Sequence, residues 1–229
     1  MSKDLHLKKV NVCKSPECGY NFDMKILVGT SNRGKITEIS ECLRAPDFHI
    51  LAPEDIDVSF IPPEECGNTF EENAMEKARY YFEQTKLPTI ADDSGIIVEA
   101  LEGELGIHTR RWGAGPAASD EEWIEYFLER MRREENKKAR FVCHLAHVDS
   151  GGTLHMFQGV CDGEITETLE ADYLPRLPIS GCFRPNGYDL VYSAMSIEQK
   201  NSTSHRGRAL EQFRDFYLPE TREERNPAQ

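Results

Sequence analysis

The 229-residue sequence lacks several features that would commit it to a class. No apolar run approaches the roughly 20 residues that a membrane-spanning helix requires. The opening stretch, MSKDLHLKKVNVCKSPEC, has no apolar centre of a secretory signal, so the expected setting is cytoplasmic. Basic residues are in deficit: 27 Lys and Arg stand against 40 Asp and Glu, a formal net charge of −13. Polymeric nucleic acid needs clustered Lys and Arg, and is not an expected partner. A small anion remains compatible, because one cleft can be basic in an acidic protein. The seven cysteines are scattered and odd in number, and cytoplasmic thiols stay reduced, so no disulfide framework is expected. Cys13 and Cys18 form a C-x4-C pair, but a structural zinc would need two more ligands from afar. Two free thiols on an extension is the simpler reading.

What is present is a mixed α/β pattern. Residues 1–24 are polar with weak periodicity and read as an N-terminal extension; 25–218 read as one domain, and 219–229 as a tail. KILVG is a short buried-type strand, followed by a polar turn and a helical pattern with Ile36, Ile39 and Leu43 on one face. TFEENAMEKARYYF opens with a Thr69–Glu72 capping box and carries Phe70, Ala74, Ala78 and Phe82 as an inward stripe. LPTIA and IIVEAL read as strands around ADDSG. A second capping box, Ser119 and Glu122, opens a helix that buries Trp123, Phe127 and Met131. ARFVCHLAHV, TLHMFQG and GEITET read as antiparallel strands, 172–187 as loop, YDLVYS as a last strand and HRGRALEQFRDFYL as a last helix. This order predicts a mixed α/β chain folded as two lobes around a cleft.

Four stretches can carry chemistry. TSNRGK, Thr30 to Lys35, joins a strand to a helix, the layout that turns backbone N–H groups toward an anion. Thr30, Ser31 and Asn32 offer short polar groups, Gly34 permits close approach, and Lys35 can meet a phosphate. An ordinary helix cap with an exposed Lys35 explains the same letters at least as well. PPEECGNTFEENA holds Glu64 and Glu65 in a loop, where carboxylates can hold Mg²⁺ or simply face solvent. In ADDSG, adjacent side chains of an extended strand point to opposite faces, so the two carboxylates are expected to converge only if the strand breaks into a turn. Ser94 and Gly95 then supply a hydroxyl and a backbone N–H. KNSTSHRGRAL sets Lys200, His205 and Arg206 just ahead of a helix, where the macrodipole favours acids. That misplacement of positive charge suits an anionic ligand better than a Ser204–His205 nucleophilic pair, whose adjacent side chains diverge.

The blocks TSNRGK, GNTFEENAMEKA, ADDSG, GYD, and K with SHRGRA, in that order over about residues 25–218, resemble the inosine triphosphate pyrophosphatase family, which includes bacterial dITP/XTP pyrophosphatases. The resemblance implies an α/β fold, an elongated mixed β-sheet flanked by helices, around a central substrate cleft, a homodimer, and Mg²⁺-dependent hydrolysis of non-standard purine nucleoside triphosphates (ITP, dITP, XTP) to monophosphate and pyrophosphate. It implies that Thr30, Ser31, Asn32, Arg33, Gly34 and Lys35 line the phosphates. Asp93 would be proton acceptor and metal ligand, with Asp92 supporting it. Glu64 would be the second metal ligand, with Glu65 as its competitor, and Ser94 would touch substrate. Asn186, Gly187, Tyr188 and Asp189 would close over the nucleoside, and Lys200, His205 and Arg206 would read the base and reach the phosphates. Catalysis would rest on Asp93 and Lys35. The family's F-G-Y-D-P is matched here to PNGYDL, with Asn186 in the place of the stacking ring and Leu190 in that of Pro, which opens a second reading in which base preference is altered. GIHTRRWGAG resembles the family's Y-S-A-R-Y-A-G, retaining Arg111 and Trp112.

Overall fold

Aliphatic residues without alternation build the first strand, β1 (Met24–Val28), whose Ile26, Leu27 and Val28 are all fully buried, as a strand covered on both faces requires. The computed structural model describes residues 24–43, 48–63, 65–115 and 117–218. Glu64, the Cys13–Cys18 pair and the Arg111 side chain lie outside the described part. After β1 come α1 (Arg33–Cys42), β2 (Phe48–Leu51), α2 (Phe70–Thr85), β3 (Thr89–Val98), α3 (Asp120–Met131), β4 (Lys138–Val148), β5 (Leu154–Ile165), β6 (Phe183–Pro185), α4 (Ile197–Thr203) and α5 (His205–Tyr217). The six strands form one sheet in the order β2-β1-β3-β4-β5-β6. β1 runs parallel to β2 and β3, and all later pairs are antiparallel.

Because β1 lies between β2 and β3, α1 and α2 fall on opposite faces of the sheet. α1 and α5 cover one face, with Ile26, Val28, Ile90, Ile39 and Phe213 in a common core. α2 covers the other, packing Ala74 and Ala78 on Ala91, Ala146 and Val148. A third core, around α3, gathers Trp123, Phe127, Met131, Phe183 and Tyr192. The place where the order reverses, beyond the carboxyl ends of β1 and β3, is where open α/β sheets bind ligands. β1 pairs with β3 only at Leu27–Thr89 and Val28–Ile90, so the edge of β3 stands free of β1 from Ala91 onward.

Several sequence expectations are corrected here. β3 does not break at ADDSG: it pairs with β4 in continuous register from Thr89–Val148 to Val98–Ala139. LHMFQG and GEI belong to one 12-residue strand, Leu154–Ile165, not two. YDLVYS is not a strand. β6 already occupies the outer edge of β5, and the consecutive Val191 and Tyr192 are both buried, which a one-sided strand forbids. The Thr69 cap forms, its Oγ accepting from Glu72 N at 3.1 Å, but Glu72 returns its carboxylate to Asn68 N at 2.7 Å, one residue upstream of the expected box. The Ser119–Glu122 box forms in full, and Trp123, Phe127 and Met131 are buried. The short α4 was not expected; Ser204 ends it and caps α5, accepting from Gly207 N at 2.9 Å.

Candidate active site

A cleft of about 790 Å³ opens across the free edge of β3. Thr30, Ser31, Asn32 and Lys35 line it from the β1–α1 turn, Asp93, Ser94 and Gly95 from β3, and His205 and Arg206 from the start of α5. An uninterrupted strand can serve one cleft with neighbouring residues because the cleft crosses its edge and reaches both faces. Asp92 points to the α1/α5 side and Asp93 to the α2 side, and each meets its own set of cations.

On the α1/α5 side, Asp92 Oδ2 lies 3.2 Å from Lys35 Nζ and accepts from Arg206 Nη2 at 3.0 Å. Arg206 also donates to Ser94 Oγ at 2.9 Å and, through its other terminal nitrogen, to Glu38. Glu38 pairs in turn with Lys200. Burial pushes the Asp92 pKa upward, but Lys35 and then Arg206 outweigh it and hold the carboxyl far below its usual range. Three cations therefore surround two carboxylates, an excess of positive charge suited to an anion. Asn32 is the helix cap, its Oδ1 accepting from Gly34 N at 3.0 Å and Lys35 N at 3.3 Å. So the residue that satisfies the helix start also orients Lys35.

On the α2 side the balance is reversed. Asp93 Oδ1 is 3.0 Å from Lys77 Nζ, and Asp93 Oδ2 accepts from Asn73 Nδ2 at 3.0 Å. The same Lys77 ammonium lies 3.0 Å from Glu65 Oε1. Burial lowers the Lys77 pKa, but Asp93, Asp92 and Glu65 more than reverse this, so the ammonium stays charged. Asn73 Oδ1 accepts from Gly67 N at 2.9 Å, tying the acidic loop to the helix. A Cβ on Gly67 would stand 2.6 Å from that oxygen, so this approach needs glycine. One cation stands between two carboxylates here, and that surplus of oxygen charge suits a divalent cation. Among the described residues no cluster of three or more His, Cys, Asp or Glu forms a metal cage. Mg²⁺ does not require one: it binds through one or two carboxylates and completes its shell with water and phosphate oxygens. Asp93 and Glu65 fit that requirement.

His205 is 6% exposed, stacks on Phe141 at 4.7 Å between ring centroids, and leaves Nδ1 without a partner among the described residues. Burial, with Arg206 next to it, holds its pKa well below the ordinary histidine value, so the ring is neutral.

Not every expected residue reaches the cleft. Arg33 points outward to Glu54, 3.5 Å away. Gly34 makes room for the chain itself, since a Cβ there would meet the Pro175 carbonyl at 2.7 Å. Lys200 is held by Glu38, behind the lining. Asn186, Gly187, Tyr188 and Asp189 do not line the cleft: Asn186 and Tyr188 border a separate 310 Å³ pocket, and Tyr188 Oη binds Thr203 Oγ1 at 2.9 Å. Leu177, Pro178, Ile179 and Ser180 line the cleft together with the aromatic Phe141 and Tyr192. The sequence reading missed Asn73, Lys77 and Glu38. The signal for the first two was present, as Asn73, Lys77 and Tyr81 repeat every fourth residue beside the alanine stripe of α2.

Fold and site together define a class: an α/β protein with a switch-point cleft that pairs a cationic wall with a carboxylate-rich one. The chain belongs to the Ham1 family, whose model matches residues 26–216. It is 40% identical over 201 residues to a dITP/XTP pyrophosphatase of Leptospira interrogans, covering 84% of this chain and 96% of that one. It is also 40% identical over 200 residues to a dITP/XTP pyrophosphatase of Aquifex aeolicus, covering 82% and 93%. Among solved structures it resembles a HAM1 protein from Coxiella burnetii, with TM-score 0.72 and 30% identity over 86% of this chain and 99% of the other. The Staphylococcus aureus Ham1 protein gives TM-score 0.70 and 31% identity over the same shares.

Proposed function

We propose that this protein hydrolyses non-standard purine nucleoside triphosphates, ITP, dITP and XTP, to the monophosphate and pyrophosphate. The observation that carries the reading is the opposed charge of the two walls, a cation-rich face at Lys35 and Arg206 across the β3 edge from the carboxylates of Asp93 and Glu65. The names of its relatives point the same way.

In this reading the triphosphate lies against the β1–α1 turn, where Lys35 and the polar groups of Thr30, Ser31 and Asn32 face the cleft. Lys35 neutralises charge that builds on the leaving pyrophosphate. Asp93, fixed by Asn73 and Lys77, takes the proton of the water that attacks the α-phosphorus. Asp93 and Glu65, with Glu64 adjoining in sequence, would hold Mg²⁺, which supplies charge neutralisation at the phosphates when bound. Arg206 lines the cleft at the start of α5 and keeps Asp92 and Ser94 in place. Base selection follows from donors: a 6-keto purine presents an acceptor where adenine presents an amino group, and facing donor to donor is costly. A homodimer and a cytoplasmic setting belong to the same reading, and sedimentation equilibrium tests the former.

A second reading keeps this chemistry and changes the base preference. The aliphatic wall of Leu177, Pro178 and Ile179 favours it, because no ring from that segment is available to stack. Pyrophosphate release with Mg²⁺ from ITP, XTP, dITP, GTP, ATP and dUTP separates the two. Release confined to ITP, dITP and XTP supports the first, preference for another base supports the second, and no release from any of them overturns both.

A further inference from the structure

The segment ahead of Pro178 packs directly on the β1–α1 turn. A Cβ added at Gly34 would stand 2.7 Å from the Pro175 carbonyl oxygen and 3.0 Å from Leu177 Cδ1. Arg176 sits between these two contacts and is an exposed residue of the cleft lining. Leu174 to Leu177 form a tight turn, closed by Leu177 N–H donating to Leu174 O at 3.0 Å. Pro175 fixes the second position at a negative φ, and Arg176 takes the third at φ 66°. That combination defines a type II turn, whose third position favours glycine. Among the described residues one other non-glycine residue, Lys86, has a positive φ, and it closes α2 as the C-cap. No helix ends at Arg176. Its backbone N–H donates to the Asp120 carboxylate on α3, which anchors the turn without engaging the guanidinium. Arginine thus occupies a position where a side chain brings strain, and such positions cluster at ligand clamps.

Charge gives an independent reason. Four cationic side chains belong to the described lining: Lys35, Lys77, Arg176 and Arg206. Lys35 is paired with Asp92, Lys77 with Asp93 and Glu65, and Arg206 with Asp92 and Glu38. The Arg176 guanidinium has no ion pair or hydrogen bond among the described residues. The turn beneath it offers an anion little else, because the Gly34 and Lys35 N–H groups are already taken by the Asn32 cap. A guanidinium is well shaped for this task, since it grips two oxygens of a phosphate at once.

We propose that Arg176 is a substrate-binding residue that holds the pyrophosphate part of the triphosphate at the β1–α1 turn, and so sets the preference for triphosphates over monophosphates. This rests on the nucleotide reading above, in which that turn receives the phosphates. It adds to it the one lining cation, among the described residues, that no carboxylate already neutralises. A monophosphate ends before this contact and gains nothing from it.

The test uses the full chain as wild type, R176G and R176N, with inorganic tripolyphosphate and inosine 5′-monophosphate as probes, by calorimetry without added metal. Glycine and asparagine both accept the left-handed backbone, so both variants are expected to keep the wild-type melting temperature. Tripolyphosphate binding is expected to weaken roughly tenfold or more in both, the size of one lost charged hydrogen bond, while inosine 5′-monophosphate binds as to the wild type. Equal tripolyphosphate binding by the three proteins, or none by the wild type, overturns the proposal. So does a loss in R176G that R176N does not share, which traces the effect to a loosened turn. An equal loss for both probes overturns it as well. In the wild type, tripolyphosphate is expected to protect Arg176 from phenylglyoxal, read by mass spectrometry of its peptide. Equal modification with and without the probe overturns the proposal even if a variant fails to fold. If the wild type hydrolyses no triphosphate but the variants lose tripolyphosphate selectively, the reaction fails and the Arg176 assignment stands. Turnover of ITP with kcat and KM unchanged in both variants does the reverse.

Discussion

Lys77 on α2 sets its ammonium 3.0 Å from Oδ1 of Asp93 on β3, both side chains nearly buried. This contact ties the one helix that covers the carboxylate wall to the strand that crosses the cleft. Removing the charge while keeping the length, in Lys77→Met, takes away a donor aimed at the reacting region. Turnover of ITP should fall about 10²-fold or more, the usual cost of losing one such donor. The same variant removes the cation that stands between Asp93 and Glu65. Mn²⁺ titration of the nucleotide-free protein, followed by electron paramagnetic resonance, should therefore show tighter binding in Lys77→Met. Equal or weaker Mn²⁺ binding would show that Lys77 and the metal do not share these carboxylates.

Asp93→Asn keeps the size of the side chain and removes the proton acceptor. Nucleotide binding should persist while kcat drops by roughly 10²–10⁴-fold, the range for a positioned general base. Near-normal turnover would take Asp93 out of the proton transfer.

Arg206 is 2% exposed and bonds Asp92, Ser94 and Glu38 at once. Arg206→Ala leaves two buried carboxylates short of their partner. Breaking a buried pair in this way typically costs about 3–5 kcal/mol, so the variant should unfold at clearly lower denaturant as well as lose kcat/KM. A variant of unchanged stability would contradict the buried network.

A pH effect is expected away from the cleft. His147 is buried between β3 and α5; its Nδ1–H donates to Thr89 O at 3.0 Å, which leaves Nε2 to accept from Tyr217 Oη. Its ring neighbours are His155, Phe213 and Tyr217, and the charged group on its own hairpin is Asp149, paired with His155. Burial lowers its pKa from 6.5 to about 4. The folded pKa lies below the unfolded one, so the unfolded chain takes up the proton first. This contribution is complete above about pH 6.5 and is lost as pH falls toward about 4, at roughly 1.4 kcal/mol per unit. Denaturation from pH 7 to 4 should show that loss in the wild type and a flatter profile in His147→Gln. Parallel profiles would assign the acid sensitivity elsewhere.

Much of the site was legible in the sequence because local chemistry announced it. Thr30, Asn32 and Lys35 sit at a strand-to-helix turn, and Asn32 caps the helix as its type suggests. Arg206 placed positive charge where a helix start disfavours it, and both it and His205 reach the cleft. GYD does not line the cleft, and matching letters cannot report which segment does. Tyr188 turns to Thr203, and Leu177 to Ser180 take the wall instead. Glu38 gave no signal at all: a lone Glu in a helix is ordinary until Arg206 and Lys200 arrive from 160 or more residues away.

By itself the sequence determined the starts of α1, α2 and α3 with their capping residues, the short buried β1, and the adjacent carboxylates of ADDSG. These follow from periodicity and backbone hydrogen bonding within a few residues. The tertiary structure alone decided that Asp93 lines the cleft while Asp92, buried, holds the cations Lys35 and Arg206 that line it. The expected break in the strand is absent. β1 ends at Val28 while β3 continues to Val98, so a ligand at the exposed edge meets the Asp92 face and the Asp93 face together. That outcome depends on the relative lengths of two strands brought side by side, a property no local stretch of sequence contains.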